Sequence, residues 1–294
     1  MKNQSVLRWI IPLIAVLALF AAGMGLFYQT DGAPFSYTNH RGETVTITGH
    51  GLYYYDTVST TAQEQGNDVV TLVVGLPLLL IATWLAFHGS LRGQLLLTGT
   101  LGFFLYTYMS MSMLTSFNVL FPVYVALFTL SLFAFILCMM AFDLQDLPKH
   151  FSERLPRRWI AGLLFTVAAF LSLAWLGRIA TPFLQNQTPI LENSTTMVIQ
   201  AMDLGLVVPL ALLAGLLLLR RSAWGYLLAS VFVMKAITMG LAVSTMVINM
   251  ALQGVPDSIG IMVPFLLITV VNLFLAVALL RNVDMGTTPL QSAR

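Results

Sequence analysis

The residues best suited to chemistry in this chain are an aspartate and a lysine, each set inside an otherwise apolar run. In "TTMVIQAMDLG", Thr196, Gln200 and Asp203 recur at i, i+4 and i+7, which is one face of a helix. In "GYLLASVFVMKAITMGLAVSTM" and the residues after it, Lys235, Thr238, Ala242, Thr245 and Asn249 form a small or polar stripe, while the other side is Val, Leu, Ile and Met. A charge at mid-span costs about 2.5–3.5 kcal/mol on insertion scales and is normally paired or turned toward a cavity. The connection Arg220–Ser222 is short, so the two runs are antiparallel neighbours. At 1.5 Å per residue Asp203 lies roughly 9 Å below the outer boundary and Lys235 about 5 Å deeper. That is within reach of a flexible four-carbon stem. The spacing predicts a direct Asp203–Lys235 ion pair, serving either as a clamp that fixes helix register or as a group that handles a ligand or proton.

Further polar side chains fall at similar depths. Tyr108, Ser112 and Thr115 share a face with Tyr106 alongside, Asn118 opens the next run, and Thr269 and Asn272 lie in the last one. Asp68 and Thr71 stand where another run begins, and Asp68 beside Asn67 reads as a helix N-cap. The inner halves, such as "LVVPLALLAGLLLL" and "VALFTLSLFAFILCMM", offer a solute nothing. We therefore expect an outward-facing polar pocket for a small polar ligand or lipid. Asp203, Lys235, Gln200, Thr238, Tyr106, Tyr108, Asn118 and Asn272 are the candidate ligand- or ion-binding residues. No catalytic residue stands out, because no spacing enforces a nucleophile–base or acid–base set. The four histidines are scattered, and Cys138 is the single cysteine, so neither a metal site nor a disulfide is expected. The "YMSMSMLTS" methionines fill core gaps more readily than they bind copper. No cofactor is expected.

The elements that must position these groups follow from composition. Of 294 residues 58% are hydrophobic and 9% charged, with a mean hydropathy of +0.85, whereas soluble domains carry about 25% charged residues. A net charge of +2 gives no argument for nucleic acid. Eight runs reach the roughly 20 apolar residues a spanning helix needs: 9–27, 68–88, 94–115, 119–142, 159–178, 197–219, 224–250 and 260–280. The expectation is an all-α polytopic bundle, one integral membrane domain over 1–294, with a small external β-hairpin. With the N-terminus inside, Lys2, Arg8, Arg92, Lys149, Arg154, Arg157, Arg158, Arg220, Arg221, Arg281 and Arg294 fall inside, against Arg41 and Arg178 outside. The positive-inside rule then makes both termini cytoplasmic.

The first run has the basic start of a signal peptide, but its apolar stretch is longer than a signal core and lacks a clean A-x-A. We expect it to be retained. The external segment 28–67 contains "FSYTNHRGETVTIT", an alternating pattern turning at Arg41-Gly42, which predicts a hairpin. It is read as an interfacial plug, with a lid over an external site as the alternative. The three tyrosines of "GHGLYYYDT" are placed at the membrane–water interface. The basic loop 143–158 is expected on the anionic inner leaflet. No internal repeat is legible.

The stretches "GSLRGQLLLTGTLGFFLYTYMSM", "FNVLFPVYVALFTLSLFAF" and "DLGLVVPLALLAGLLLLRR" resemble a group of bacterial multi-pass membrane proteins that have no assigned activity. The resemblance implies a bacterial inner membrane and nothing about a site. The lysine in a late helix is similar to that of retinal proteins, but Val231 stands where their aspartate would. The expectation is a non-enzymatic sensor or accessory protein. A small-solute or ion-coupled transporter using the same pair is the first alternative, and an intramembrane lipid-modifying enzyme the second. The sequence carries no signal for oligomeric state.

Overall fold

The computed structural model describes residues 3–187, 189–255 and 258–284, with side chains of the last helix described from 263. Lys2 and Arg294 of the basic tally lie outside the described residues. The chain is mostly helical: α1 (Gln4–Phe27), α2 (Val58–Phe87), α3 (Leu91–Leu114), α4 (Phe121–Met139), α5 (Arg157–Leu184), α6 (Val198–Leu219), α7 (Ala223–Leu252) and α8 (Ser258–Arg281). Seven of these are long and apolar enough to cross a membrane, marking the protein as membrane-embedded. The exception is α3, whose Gly, Thr, Ser and Tyr residues dilute its apolar content. It compensates by position: it packs on α2, α4, α6 and α7, and fourteen of its 24 residues are buried. Elsewhere large apolar side chains such as Leu80, Trp84, Phe133 and Phe274 are exposed, as suits a lipid-facing surface.

Between α1 and α2 the predicted hairpin forms. Strands β1 (Phe35–Thr38) and β2 (Thr44–Ile47) are antiparallel, with Phe35 opposite Ile47 and Thr38 opposite Thr44. The turn falls at Arg41-Gly42, where Gly42 takes φ +80°, a conformation that disfavours any side chain. The boundary at 68 needs correction. Helix α2 starts ten residues earlier, capped by the Thr57 side chain accepting from the Thr60 amide. Its first turns, "VSTTAQEQGNDVV", are too polar to read as a span, yet they pack against α7.

A repeat that the sequence hides is plain in the structure. Each half is a ring of four helices in which the first packs on the second and fourth, and the third on the second and fourth. Helices α1–α4 correspond in order to α5–α8. Arg8-Trp9-Ile10 matches Arg158-Trp159-Ile160, and buried Ile11, Ile14, Ala18 and Ala21 match buried Ala161, Leu164, Ala168 and Leu171. In α2 and α6 the buried residues Leu76, Leu79, Ala82 and Ala86 match Val208, Ala211, Ala214 and Leu218. Both second helices then turn through the same device. Ser90 and Ser222 cap α3 and α7 by accepting from the amides of Gly93 and Gly225. A Cβ at Gly93 would lie 2.6 Å from the Ala86 nitrogen, and one at Gly225 2.2 Å from the Leu217 carbonyl carbon. Those glycines permit the tight helical corner.

The halves meet where α3 and α7 run side by side in the same direction, with α2 packing on α7 and α6 on α3. Gly99 brings α3 against the α7 backbone: a Cβ there would sit 2.7 Å from the Lys235 nitrogen. At one end of the bundle the α8 terminus joins the 140–156 connection, through Ser152 N–H to the Asn282 carbonyl, and α3, through Arg92 Nε to the Val283 carbonyl at 2.7 Å. Arg8, Arg92, Lys149, Arg154, Arg157, Arg158, Arg220, Arg221 and Arg281 gather at this end, with Arg41 and Arg178 at the other.

Candidate functional site

The second helix of each half is widened at the same place without losing helical continuity. Thr71–Gly75 in α2 and Asp203–Val207 in α6 are wide π-turns, in which the Leu76 amide bonds the Thr71 carbonyl and the Val208 amide bonds the Asp203 carbonyl. Each is followed by a proline, Pro77 or Pro209. Proline has no N–H and its ring collides with the carbonyl four residues back, so the extra residue in the turn relieves the clash. Polar side chains collect around both turns.

At the second turn Asp203 is buried, and both its oxygens are bonded. Tyr106 Oη of α3 donates to Oδ1 at 2.6 Å, and Trp175 Nε1 of α5 donates to Oδ2 at 2.8 Å. Lys235 Nζ lies over the Tyr106 ring, 4.2 Å from its centroid. The expected direct ion pair is therefore not formed, and among the described residues no carboxylate lies within ion-pairing distance of Lys235. The reason is the close approach of α3 and α7. The lysine stem runs along Gly102, where a Cβ would lie 3.7 Å from Lys235 Cγ, and ends on the face of Tyr106. The aromatic ring thus stands between the two charges, taking the cation on its face and giving its hydroxyl proton to the anion. Gln200 and Thr238 are buried nearby, Thr238 donating to the Lys235 carbonyl at 3.1 Å. Asn272 instead clamps α8 to α7 through the Val233 carbonyl at 3.2 Å.

No protein-family model, curated protein or solved structure matches the chain. The geometry must carry the reading alone.

Tyr108 and Asn118 do not join Asp203. Tyr106 and Tyr108 leave α3 on opposite sides, and Tyr108 enters a second cluster behind α3, stacked between Phe104 and Tyr124. Asn118 Oδ1 accepts from the Leu120 amide at the start of α4, beside Tyr124. The second cluster holds three buried carboxyl groups. Asp68 Oδ2 accepts from Tyr53 Oη at 2.6 Å, Glu64 Oε1 from Thr115 Oγ1, and Asp56 Oδ1 from the Ser116 amide at 2.9 Å. Asp68 is no N-cap: it lies mid-helix, so close to α1 that a Cβ at Gly25 would fall 1.9 Å from its Oδ2. Nor does Tyr53 sit at the interface; it is 2% exposed while Tyr55 is 63% exposed. Burial and then the Asp68 charge hold the Tyr53 phenol above its ordinary range. Burial pushes the Asp56 carboxyl up to about 6, against the opposing Ser116 hydrogen bonds.

The hairpin works as a clasp between the α1–α2 and α5–α6 connections of the two halves. Arg41 donates to the carbonyls of Ser194 at 2.8 Å and Glu192 at 3.3 Å, Asn39 donates to the Glu192 carbonyl at 2.6 Å, and Thr57 donates to the Glu192 carboxylate. Trp175, Tyr53, Asp56 and Glu64 are the functional candidates that sequence reasoning missed, and Asp68 was read only as an N-cap. The i, i+4 spacing of Glu64 and Asp68 on one helix face was the available signal.

Proposed function

We propose that the protein is a membrane carrier built from two tandem four-helix repeats, moving a small polar solute or ion past the Asp203–Tyr106–Lys235 group. One observation carries the reading: the second helix of each half has a π-turn that opens on an ionisable or hydroxyl side chain, and that helix packs on the third helix of the other half. Parallel repeats with a polar site at the repeat interface are a recurring plan of secondary transporters. Irregular backbone is tolerated at membrane depth only where protein or a cavity covers it. A sensor or accessory protein, the expectation from sequence, could use the same polar group but has no need of duplicated π-turns. In this reading α3 is an eighth span, matched by α7, and both ends of the chain lie at the basic, cytoplasmic side of a bacterial inner membrane.

A carrier must open alternately at its two ends. Replacing buried Cys138 by serine gives a background for spin-label pairs at Met113 and Ile248 (outer ends of α3 and α7) and at Leu91 and Trp224 (inner ends). The expected result is two distance populations at each end, shifting reciprocally when Asp203→Asn or Lys235→Met is introduced. A single population at both ends in every variant and at every pH would sink the carrier reading.

A further inference from the structure

Among the described residues, the second cluster gathers three buried carboxyl groups with no basic side chain beside them. Asp56, Glu64 and Asp68 are 1%, 7% and 2% exposed, and among the described residues no lysine or arginine pairs with any of them. Their surroundings are equally short of partners. Asp56 Oδ2, Glu64 Oε2, Thr71 Oγ1 and Tyr108 Oη are all buried without a hydrogen bond, and Tyr124 Oη lies beside Tyr53 and Asn118. The two phenols face the cluster, Tyr108 lying in electrostatic range of Asp68 and Tyr124 in range of both Glu64 and Asp68. Orphaned buried oxygens are rare in folded proteins and call for an occupant. A cavity of about 30 Å³ leads in from the external side, lined by Gly25, Tyr28, His50, Tyr53, Thr61 and Gln65. That is room for a water-sized guest, and it ends at Tyr53, the donor to Asp68.

We infer that the Asp56–Glu64–Asp68 cluster is a cation site, loaded from outside with a monovalent cation, either a proton or an alkali-metal ion. The chemistry argues for a single charge. Among the described residues no three carboxylate, imidazole or thiolate groups converge as a multivalent metal ion would require. Carboxyl and phenol oxygens without donors suit a small hard cation or a shared proton. The titratable groups facing Asp68 are Tyr53 from the external segment, Tyr108 from α3, Tyr124 from α4 and Glu64 from its own helix. Asp56 faces Glu64, and His50 stands at the cavity mouth. Helix α1 contributes only Gly25 at the contact, and the Lys235 of α7 faces Tyr106 and Asp203 instead. This site goes beyond the carrier reading, since occupancy belongs to the resting protein and is measured without transport.

The test is labelling of the purified full-length protein with dicyclohexylcarbodiimide, which modifies carboxyl groups in apolar surroundings, followed by peptide mass mapping. Reactions run in sodium, potassium or choline chloride at constant ionic strength, from pH 5 to 8.5, with the melting temperature measured in parallel. At a sodium or potassium concentration about ten times Kd the vacant fraction, and with it labelling of Glu64 and Asp68, falls about tenfold, and the melting temperature rises. An effect of sodium or potassium over choline identifies an alkali-metal occupant. No salt effect, but labelling and melting temperature that both rise as pH falls, identifies a proton, because the carbodiimide adds to the protonated carboxyl. In either case Asp68→Asn removes the dependence of the melting temperature; if that variant does not fold, Tyr53→Phe weakens it. Labelling and melting temperature that ignore both salt and pH in the wild-type protein would overturn the inference.

Discussion

Tyr106 offers two separable interactions to two charged partners, and that separation can be measured. Its hydroxyl bonds Asp203 at 2.6 Å, and its ring carries Lys235 at 4.2 Å. Tyr106→Phe removes the first and keeps the second. A hydrogen bond to a charged group contributes about 1.5–3 kcal/mol, and Asp203 retains only its Trp175 donor, so the loss should fall in that range. Tyr106→Leu removes the ring as well, and a desolvated cation–π contact adds about 2 kcal/mol to the loss. Lys235→Met completes the comparison. Against Tyr106→Phe it should be additive within about 0.5 kcal/mol, because the ring under the lysine is unchanged. Against Tyr106→Leu it should show a coupling of about 2 kcal/mol. The assay is reversible unfolding of the purified variants by SDS titration in mixed micelles. Equal coupling of Lys235 to both Tyr106 variants would mean that the lysine reads the hydroxyl or the carboxylate directly, and the bridged geometry would be wrong.

The hairpin clasp predicts that Arg41→Ala, which strips charged hydrogen bonds from the Glu192 and Ser194 carbonyls, costs about 1.5–3 kcal/mol in the same unfolding assay. Deleting 34–48 should lower the melting temperature further while leaving the protein inserted in membranes. At the helix crossings, a Cβ on Gly66 would meet the Met246 backbone at 2.7 Å, whereas one on Gly162 meets nothing within 4 Å; Gly66→Ala should cost about 1–3 kcal/mol and Gly162→Ala nothing measurable. For Asp56 the folded carboxyl is raised from an ordinary 3.8 to about 6, so the folded state holds a proton that the unfolded state has lost between those values. Stability from this group is therefore full below about pH 4 and falls by up to roughly 3 kcal/mol as pH rises through 6; an Asp56→Asn variant whose stability shows the same pH slope would contradict it. Reporter fusions after Arg158 should behave as cytoplasmic and those after Gln187 as external, and the reverse pattern would invert the proposed orientation.

What the sequence made legible was set by how local each signal is. Hydropathy located the long apolar runs, the alternation around Arg41-Gly42 located the hairpin, and the stripe Lys235–Thr238 identified a face turned toward protein. The partner of that face was misassigned, because helix adjacency does not say which side chain of a third helix lies between two charges. Trp175 was invisible: a lone tryptophan in an apolar run looks the same whether its Nε1 meets a headgroup or a buried carboxylate. The choice among Tyr53, Tyr54 and Tyr55 depends on one turn of backbone, which periodicity does not resolve. The repeat was hidden because the two halves share burial rhythm more than side-chain identity. Its sequence traces are few: "RWI" at 8 and 158, the prolines at 77 and 209, and Ser-x-x-Gly at 90 and 222.

Superposing the halves by those traces explains why their sites differ. The place of Lys235 in α7 is held in α3 by Phe103, that of Asp203 at the start of its wide turn by Thr71, and that of Trp175 in α5 by Gly25 in α1. In the second half the indole fills the space beside the π-turn, donates to the carboxylate and closes the site from that side, while the lysine supplies positive charge near by. In the first half the glycine leaves that space open. Tyr53 enters it from the α1–α2 connection and Asp68 meets it, one helical turn before the π-turn; even a Cβ on Gly25 would collide with both, at 2.7 and 1.9 Å. With phenylalanine at the lysine position, no side chain of the first half can balance the carboxylate so acquired. The exchange of tryptophan for glycine and of lysine for phenylalanine thus converts a sealed, charge-compensated site into one that meets an external cavity and must draw its compensating charge from solution.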